Sequence, residues 1–402
     1  MTTPSSEKLW TKDFLLDTGI NFLVFLIYYL LMVIIAVIAR NELHASLAEA
    51  GLAAGIYIVG TLLARLIAGQ QIELFGRKKM LYVGMVMYFV TTVAYLYMPT
   101  LPIMYTVRLL NGFAYGVVAT ATSTIIAGCI PASRRGEGIN YYGLSTSVAA
   151  AVGPFIGIFM MTHTSFTAIV NLCIAMVAVC MVGCFFLNAK EVTLSEEEKK
   201  RLRTVSLENF YEKRVGVISF IAFWVGFCYS SVLSFLAAYS QHLHLVEAGT
   251  FFFVVYAVVI TLTRPATGVL FDRKGENYVM YPCFICLAIG LAMLSVTHTS
   301  LMLLASGVFV GLGYGTFMSN GQAVCIKLTP PHRVGMAIST YFVALDLGLG
   351  VSPYLLGALR PYIGFAGLYS LTGIMAVVCM LMYHFMYAKR PLPGKLPETS
   401  ED

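Results

Sequence analysis

Uninterrupted apolar segments, each about as long as a bilayer is thick, recur from one end of this 402-residue chain to the other. A helix needs about 20 residues to cross the hydrocarbon core. Reading between clusters of charge gives about twelve such runs, at 14–38, 47–72, 80–98, 102–128, 138–161, 166–187, 215–240, 249–271, 278–297, 300–326, 336–359 and 366–387. Backbone groups in lipid must find their partners within their own segment, so these runs predict helices and exclude open sheets. Composition agrees, with 58% hydrophobic and 11% charged residues, against roughly 45–50% and 25% in a soluble domain. No polar stretch is long enough to fold alone, which excludes a soluble domain hung on one anchor.

The net charge of +6 follows from where the charges sit. All of the 26 Lys and Arg except Arg40, Arg65, Arg108, Arg264 and Arg360 fall at loops or tails on one side, among them Lys8, Lys12, Arg77 to Lys79, Arg134, Arg135, Arg273, Lys274, Lys327, Arg333, Lys389 and Arg390. Basic loops mark the cytoplasmic face, which predicts a multi-pass protein of the cell's inner membrane with both termini cytoplasmic. The basic stripe of a nucleic-acid binder is missing, so no nucleic-acid partner is expected, and the partner the apolar runs imply is the lipid bilayer. Most of the nine Cys lie inside apolar runs (Cys173, Cys180, Cys184, Cys228, Cys325, Cys379) and read as packing residues rather than a disulfide framework. Cys283 and Cys286 form a C-x-x-C without His or carboxylate neighbours, so no metal is expected. Met1 to Lys12 shows no signal-peptide cleavage site, so the first helix is expected to remain.

Overlaying the chain on itself at an interval of 199 residues places Arg65, Gly69, Glu73 and Gly76 on Arg264, Gly268, Asp272 and Gly275. The same interval puts Gly112, Tyr115 and Gly116 on Gly311, Tyr314 and Gly315, Gly136 on Gly335, and Pro154 on Pro353. One six-helix unit therefore occurs twice. The predicted fold class is an all-α membrane protein of twelve transmembrane helices in two pseudo-symmetric bundles, 1–188 and 215–388, with a cytoplasmic central loop at 189–214 and a cytoplasmic tail at 389–402. Ser195-Glu196-Glu197-Glu198 opens that loop with a capping-box pattern for a short surface helix. Repeats of this kind enclose a midplane site and work by rocking one half against the other, and one chain can enclose that site, so a functional monomer is expected.

On these residues, and over nearly its whole length, the chain resembles the major facilitator superfamily. The segment Gly69-Gln-Gln-Ile-Glu73-Leu-Phe-Gly76-Arg77-Lys78-Lys79 is similar to that family's loop between helices 2 and 3, with Glu73 in place of the usual Asp. The second copy keeps Asp272, followed by Arg273. The resemblance implies that this carboxylate latches the cytoplasmic face against the other half, with Glu73 reaching differently. Arg108, with Asn111, Gly112 and Gly116, looks like the family's helix-4 arginine motif, implicated in proton handling. In helix 5, Gly143, Gly153, Pro154 and Gly157 resemble the antiporter signature of drug and metabolite exporters, with Ile158 where a second Gly usually follows. Arg65, Arg264 with Pro265, and Leu345-Asp346-Leu-Gly-Leu-Gly look like bacterial small-molecule exporters, including those releasing opine-type metallophores.

Charges inside the spans demand an explanation, since Arg or Asp at the bilayer centre costs about 2.5–3.5 kcal/mol on insertion scales. Asp346, mid-helix 11 and flanked by Leu345 and Leu347, is expected to face the cavity. A carboxyl alternately desolvated and opened to water or a cation can take up and release protons, which makes Asp346 the leading carrier. The competing reading is a permanent ion pair with Arg108 or another cation. The repeat equivalents of Arg108 and Asp346 are Gly307 and Ser147, so neither charge is duplicated. Arg108 cannot itself carry a proton but can tune a neighbour or bind an anion. Arg65 and Arg264 are expected nearer the cytoplasmic ends, snorkelling to headgroups or gating. Asp17 reads as a cap for the start of helix 1 or as a second titratable site.

The resemblance implies a cavity lined by Asn21, Tyr28, Asn111, Tyr115, Tyr142, Tyr229, Ser230, Tyr256, Tyr314 and Asn320, whose rings and polar groups suit an amphipathic solute. No H-E-x-x-H, G-x-S-x-G or phosphate loop is present, which argues against an enzyme or an ATP-driven pump. The expected function is proton-coupled export of a small drug or metabolite by alternating access; the alternative is a proton-coupled uptake symporter.

Overall fold

A computed structural model describes residues 8–196, 198–199 and 211–389. The remainder of the predicted central-loop helix and the tail from Arg390 lie outside the described residues. The first half comprises α1 (Lys12–Leu43), α2 (Leu47–Phe75), α3 (Arg77–Ala94), α4 (Leu101–Cys129), α5 (Arg135–His163) and α6 (Phe166–Phe186). The second comprises α7 (Gly216–His242), α8 (Val246–Lys274), α9 (Asn277–Ser295) and α10 (Ser300–Leu328), then the stretch Val334–Tyr383. Gly364, with φ 67° and ψ −177°, breaks that stretch into α11 (334–363) and α12 (365–383). Twelve helices thereby stand at the expected places in an all-α membrane fold; nine of the first ten, all but α3, and the stretch that holds α11 and α12 are long and apolar enough to cross a membrane, and most run a few residues past the predicted apolar limits, because a helix continues beyond the hydrocarbon layer.

Four of these helices, α1, α2, α6 and α10, begin under a hydroxyl that accepts an orphan first-turn amide. Thr11 accepts from Phe14 N at 3.2 Å, Ser165 from Ala168 N at 3.2 Å and Thr299 from Met302 N at 3.3 Å. Ser46 and Glu49 cap α2 reciprocally, and Ser195 with Glu198 forms the predicted capping box at 3.2 and 2.8 Å. The turns α2–α3 and α8–α9 pass through Gly76 (φ 97°) and Gly275 (φ 89°), which explains on steric grounds why both copies of the loop motif end in glycine.

One apolar core fills the first half around Ile27, Leu31, Tyr88, Val118 and Cys173, and a second fills the other half around Val225, Cys228, Phe284, Leu287 and Tyr369. The buried cysteines are free and pack as small apolar residues. Phe185 and Leu262, 67% and 73% exposed, belong to the outward face that lipid covers. Glycine permits the closest crossings: a Cβ on Gly112 or Gly116 would strike backbone of α2, and one on Gly348 would strike the Phe223 carbonyl of α7.

Between the halves, α2 lies on α11 and α5 lies on α8 and α10. Two of these crossings are repeat twins. Gly69 meets Ser339 and the Gly335 carbonyl, while Gly268 meets the Gly136 carbonyl and Asn140. Both lie toward the end that carries the α2–α3 and α8–α9 turns and Arg77, Arg134 and Arg273, here called the basic end.

Gly112→Ala is expected to lower the thermal unfolding midpoint of the detergent-purified protein by the equivalent of about 1–3 kcal/mol, because its Cβ would overlap the Tyr57 carbonyl. Gly51→Ala, with nothing within 4 Å, is expected to leave it unchanged. Equal midpoints for the two variants would mean that α4 and α2 do not cross at this glycine.

Candidate functional site

Arg65 on α2 and Asp346 on α11 meet across the boundary between the halves, Nε to Oδ2 at 3.2 Å. The arginine side chain is 7% exposed and the carboxylate 21%, so the acid retains an opening. Nε is out of line for a hydrogen bond, leaving an electrostatic contact, and the guanidinium lies 4.8 Å from the centre of the Phe342 ring. The cation facing Asp346 is thus Arg65, the other cation of the expected alternatives, and not Arg108. One expectation is corrected: Arg65 is buried instead of snorkelling, because a counter-charge on the opposing helix compensates it.

Tyrosines from both halves stand around this pair. Tyr28 stacks on Tyr115 with centroids 5.1 Å apart and leans on Tyr57; Tyr229 stacks on Tyr314 at 3.8 Å and on Tyr256 at 5.6 Å. Tyr57 and Tyr256, like Tyr115 and Tyr314, are separated by the repeat interval, so the aromatic wall is built twice. Tyr314 sits in a π-helical stretch, Gly311–Gly315, an irregularity that is often found where a helix serves a site.

Arg264, the repeat twin of Arg65, is also buried and does not snorkel. Its Nη2 donates to the Gly315 carbonyl at 3.5 Å, whereas Nε and Nη1 have no hydrogen-bond partner among the described residues. Nη1 occupies the space that a side chain at Gly143 would need. Gly143 therefore faces the other half, whereas Gly153 and Gly157, on either side of Pro154, seat α5 against the Leu26 and Leu30 carbonyls of α1.

Arg108 is a tie within the first half. Its Nε donates to Ala53 O at 2.9 Å, Nη1 to Tyr95 Oη at 3.1 Å and Nη2 to Ala54 O at 3.2 Å, and the group lies 4.5 Å from the Tyr57 ring centre. Asn111 and Ser230, expected to line the cavity, are turned into the bundles instead: Asn111 donates to Thr91 Oγ1 at 2.9 Å and Ser230 to Leu349 O at 2.9 Å. Asn21 joins α1 to α5, donating to Ser145 Oγ at 2.8 Å and accepting from Tyr142 Oη at 2.8 Å. Asp17 does not cap α1, which starts five residues earlier under Thr11. It is fully buried in the second turn, with neither carboxyl oxygen hydrogen-bonded among the described residues.

At the basic end the two motif carboxylates behave differently. Asp272 accepts from the Gly136 and Glu137 amides at 2.7 and 2.8 Å, capping the N-terminus of α5 in the opposite half. Glu73, one methylene longer, accepts from Arg77 Nη2 at 2.7 Å within its own half, and Arg77 in turn donates to the Pro331 carbonyl of the other half at 3.0 Å. The latch is direct in one copy and relayed in the other. Glu191 caps α3 through the Arg77 and Lys78 amides at 2.8 and 3.0 Å, and Arg273 is exposed. Asn140, which the sequence did not single out, donates to Asn320 Oδ1 at 3.0 Å and bridges the halves beside the latch; its repeat equivalent, Ser339, was the available clue.

The Major Facilitator Superfamily model matches residues 18–301 and 247–402. An uncharacterized MFS-type transporter of Methanocaldococcus jannaschii is 21% identical over 376 residues, 92% of this chain and 95% of the relative. The staphylopine export protein of Staphylococcus aureus is 23% identical over 378 residues, 88% of this chain and 90% of the relative. Among solved structures, the human organic anion transporter MFSD10 (TETRAN) aligns with a TM-score of 0.76 at 12% identity, covering 92% of this chain and 98% of that one. The proton:xylose symporter XylE aligns with a TM-score of 0.73 at 12% identity, covering 94% and 95%.

Asp272→Ala removes two charge-assisted bonds across the basic end and is expected to shift the halves apart there by about 2 kcal/mol, roughly thirtyfold in the population ratio. Spin labels at the exposed Lys79 and Lys274 report the separation as a longer distance component. An unchanged distance distribution would remove Asp272 from the latch.

Proposed function

The chain belongs to the Major Facilitator Superfamily, and from that premise we propose that this membrane transporter, which is not an enzyme, exports a small amphipathic molecule in exchange for protons. The observation that carries the reading is the Arg65–Asp346 contact between the halves. A charged Asp346 ties α2 to α11 at the depth of the tyrosine walls. Protonation removes that charge and with it the tie, so proton binding and the relative position of the halves are linked, and the linkage is reciprocal for any ligand that favours the other arrangement.

The basic end is assigned to the cytoplasm by its lysines and arginines. In the described arrangement this end is held by Asp272 of α8 capping α5, the Asn140–Asn320 bridge and the twin glycine crossings. Loading from the cytoplasm requires those contacts to part, and release requires them to form again. Asp17, buried without hydrogen-bond partners among the described residues, is the second candidate for a proton. Arg108 keeps the first half's wall in shape through Tyr57 and Tyr95. Export is supported by the α5 glycine signature, by the relative named for staphylopine export and by the rings and hydroxyls facing the pair, which suit an amphipathic solute. Two such repeats can enclose a site within one chain, which supports a functional monomer.

Purified protein in liposomes with an interior pH dye tests this reading. A solute gradient is expected to drive protons the opposite way in wild type, and Asp346→Asn is expected to lower that proton flux by at least about tenfold while leaving solute exchange measurable. Protons moving with the solute would replace export by uptake. Unchanged proton flux in Asp346→Asn would make the acid purely structural.

A further inference from the structure

We propose that the transported molecule carries an anionic group, a carboxylate in the first instance, and that Arg264 is its receptor. The inference deepens the transport reading above by naming the substrate's charge. It rests on a difference between two arginines that the repeat makes equivalent. Arg65 on α2 meets two residues one turn apart on α11: the ring of Phe342 at 4.8 Å and the carboxylate of Asp346 at 3.2 Å. The repeat places Gly143 and Ser147 on α5 at the corresponding positions. Gly143 does lie against Arg264, since Nη1 fills the space beside it. Beside Arg264 the ring is thus reduced to a hydrogen, and one turn on along α5 the repeat has a serine where α11 has the acid.

The consequence is a cation without a counter-ion. Arg264 is 1% exposed, has no carboxylate partner among the described residues, and leaves Nε and Nη1 without hydrogen-bond acceptors among them. Beside it stand the phenols of Tyr29, Tyr256 and Tyr314, which are no counter-ion for a guanidinium. A guanidinium offers a planar fork matched to a carboxylate. The fork here is aimed at the boundary between the halves, and α5 is what covers it. Separating α5 from α8 to open the basic end uncovers Arg264 beside the Tyr256 and Tyr314 rings. Closing that end brings Gly143 back over it and expels the anion. The receptor is then accessible in the arrangement that loads from the cytoplasm and covered in the one described.

The test uses 2-naphthoate and the isosteric 2-naphthamide on the full-length protein, with two readouts: thermal stabilisation in detergent, and uptake or release in proteoliposomes. Naphthoate is expected to raise the unfolding midpoint and naphthamide to leave it unchanged. Arg264→Gln is expected to weaken the naphthoate response by about tenfold or more, and Arg264→Lys to weaken it less. Ser147→Asp gives Arg264 the internal acid that Arg65 has, and is expected to abolish the naphthoate response while preserving the ligand-free midpoint; it keeps the test decisive if Arg264→Gln does not fold. Equal responses to acid and amide, no response to naphthoate, or full naphthoate binding in Ser147→Asp would each overturn the proposal. Naphthoate binding that depends on Arg264 but drives no proton movement would sink coupled export and leave the anion receptor standing. Coupled transport of amides or cations alone would do the reverse.

Discussion

A charge inside the hydrocarbon layer has to be compensated by the protein itself, and the way each intramembrane charge of this chain is compensated determines what it can do. Arg108 is crowned by carbonyls and a phenol of its own half. A group held in that way moves with its bundle and cannot report on the other one. Arg65 and Asp346 compensate each other across the boundary, so any rocking of the halves must change their contact. Arg264 has a single long bond to a carbonyl, and Asp17 has none among the described residues. Buried ions in so poor a setting are costly, which singles out these two as places where a transient partner is favoured.

The repeat supplies the symmetric scaffold, and small departures from it supply direction. Twin glycines make twin crossings, and twin tyrosines make twin walls. One extra methylene turns Glu73 away from the opposite half and onto Arg77, whereas Asp272 is short enough to sit squarely on the first turn of α5. The exchange of Phe342 and Asp346 for Gly143 and Ser147 gives one central arginine a resident partner and leaves the other bare. The two central arginines, equivalent by the repeat, are thereby chemically distinct.

The spans, caps and turn glycines were legible in the sequence because each answers to local physics: bilayer thickness, orphan amides and positive φ. The repeat was legible because identity at a fixed interval needs no third dimension. What could not be read was orientation about each helix axis. Asn111 and Ser230 have the composition of cavity residues, yet their polar atoms find hydroxyl and carbonyl partners inside the bundles. Position along the chain puts Arg65 toward the end of its apolar run, and only the crossing of α2 with α11 shows that Asp346 lies within its reach. Asp17 was misplaced as a cap because the boundary of α1 falls at Thr11, outside the apolar run.

Alternating access also requires that the closed end be neither too loose nor too tight. Hydrogen bonds to a charged group contribute about 1.5–3 kcal/mol each and neutral ones about 0.5–1.5. The two Asp272 caps, the Asn140–Asn320 bridge and the Arg77–Pro331 contact therefore amount to several kcal/mol. Inverting a two-state population from 1:99 to 99:1 takes about 5.5 kcal/mol, the same order. The polar character of the closed end is thus what a reversible gate needs: enough bonds to hold one arrangement, and few enough that a ligand with a differential affinity of that order can undo them.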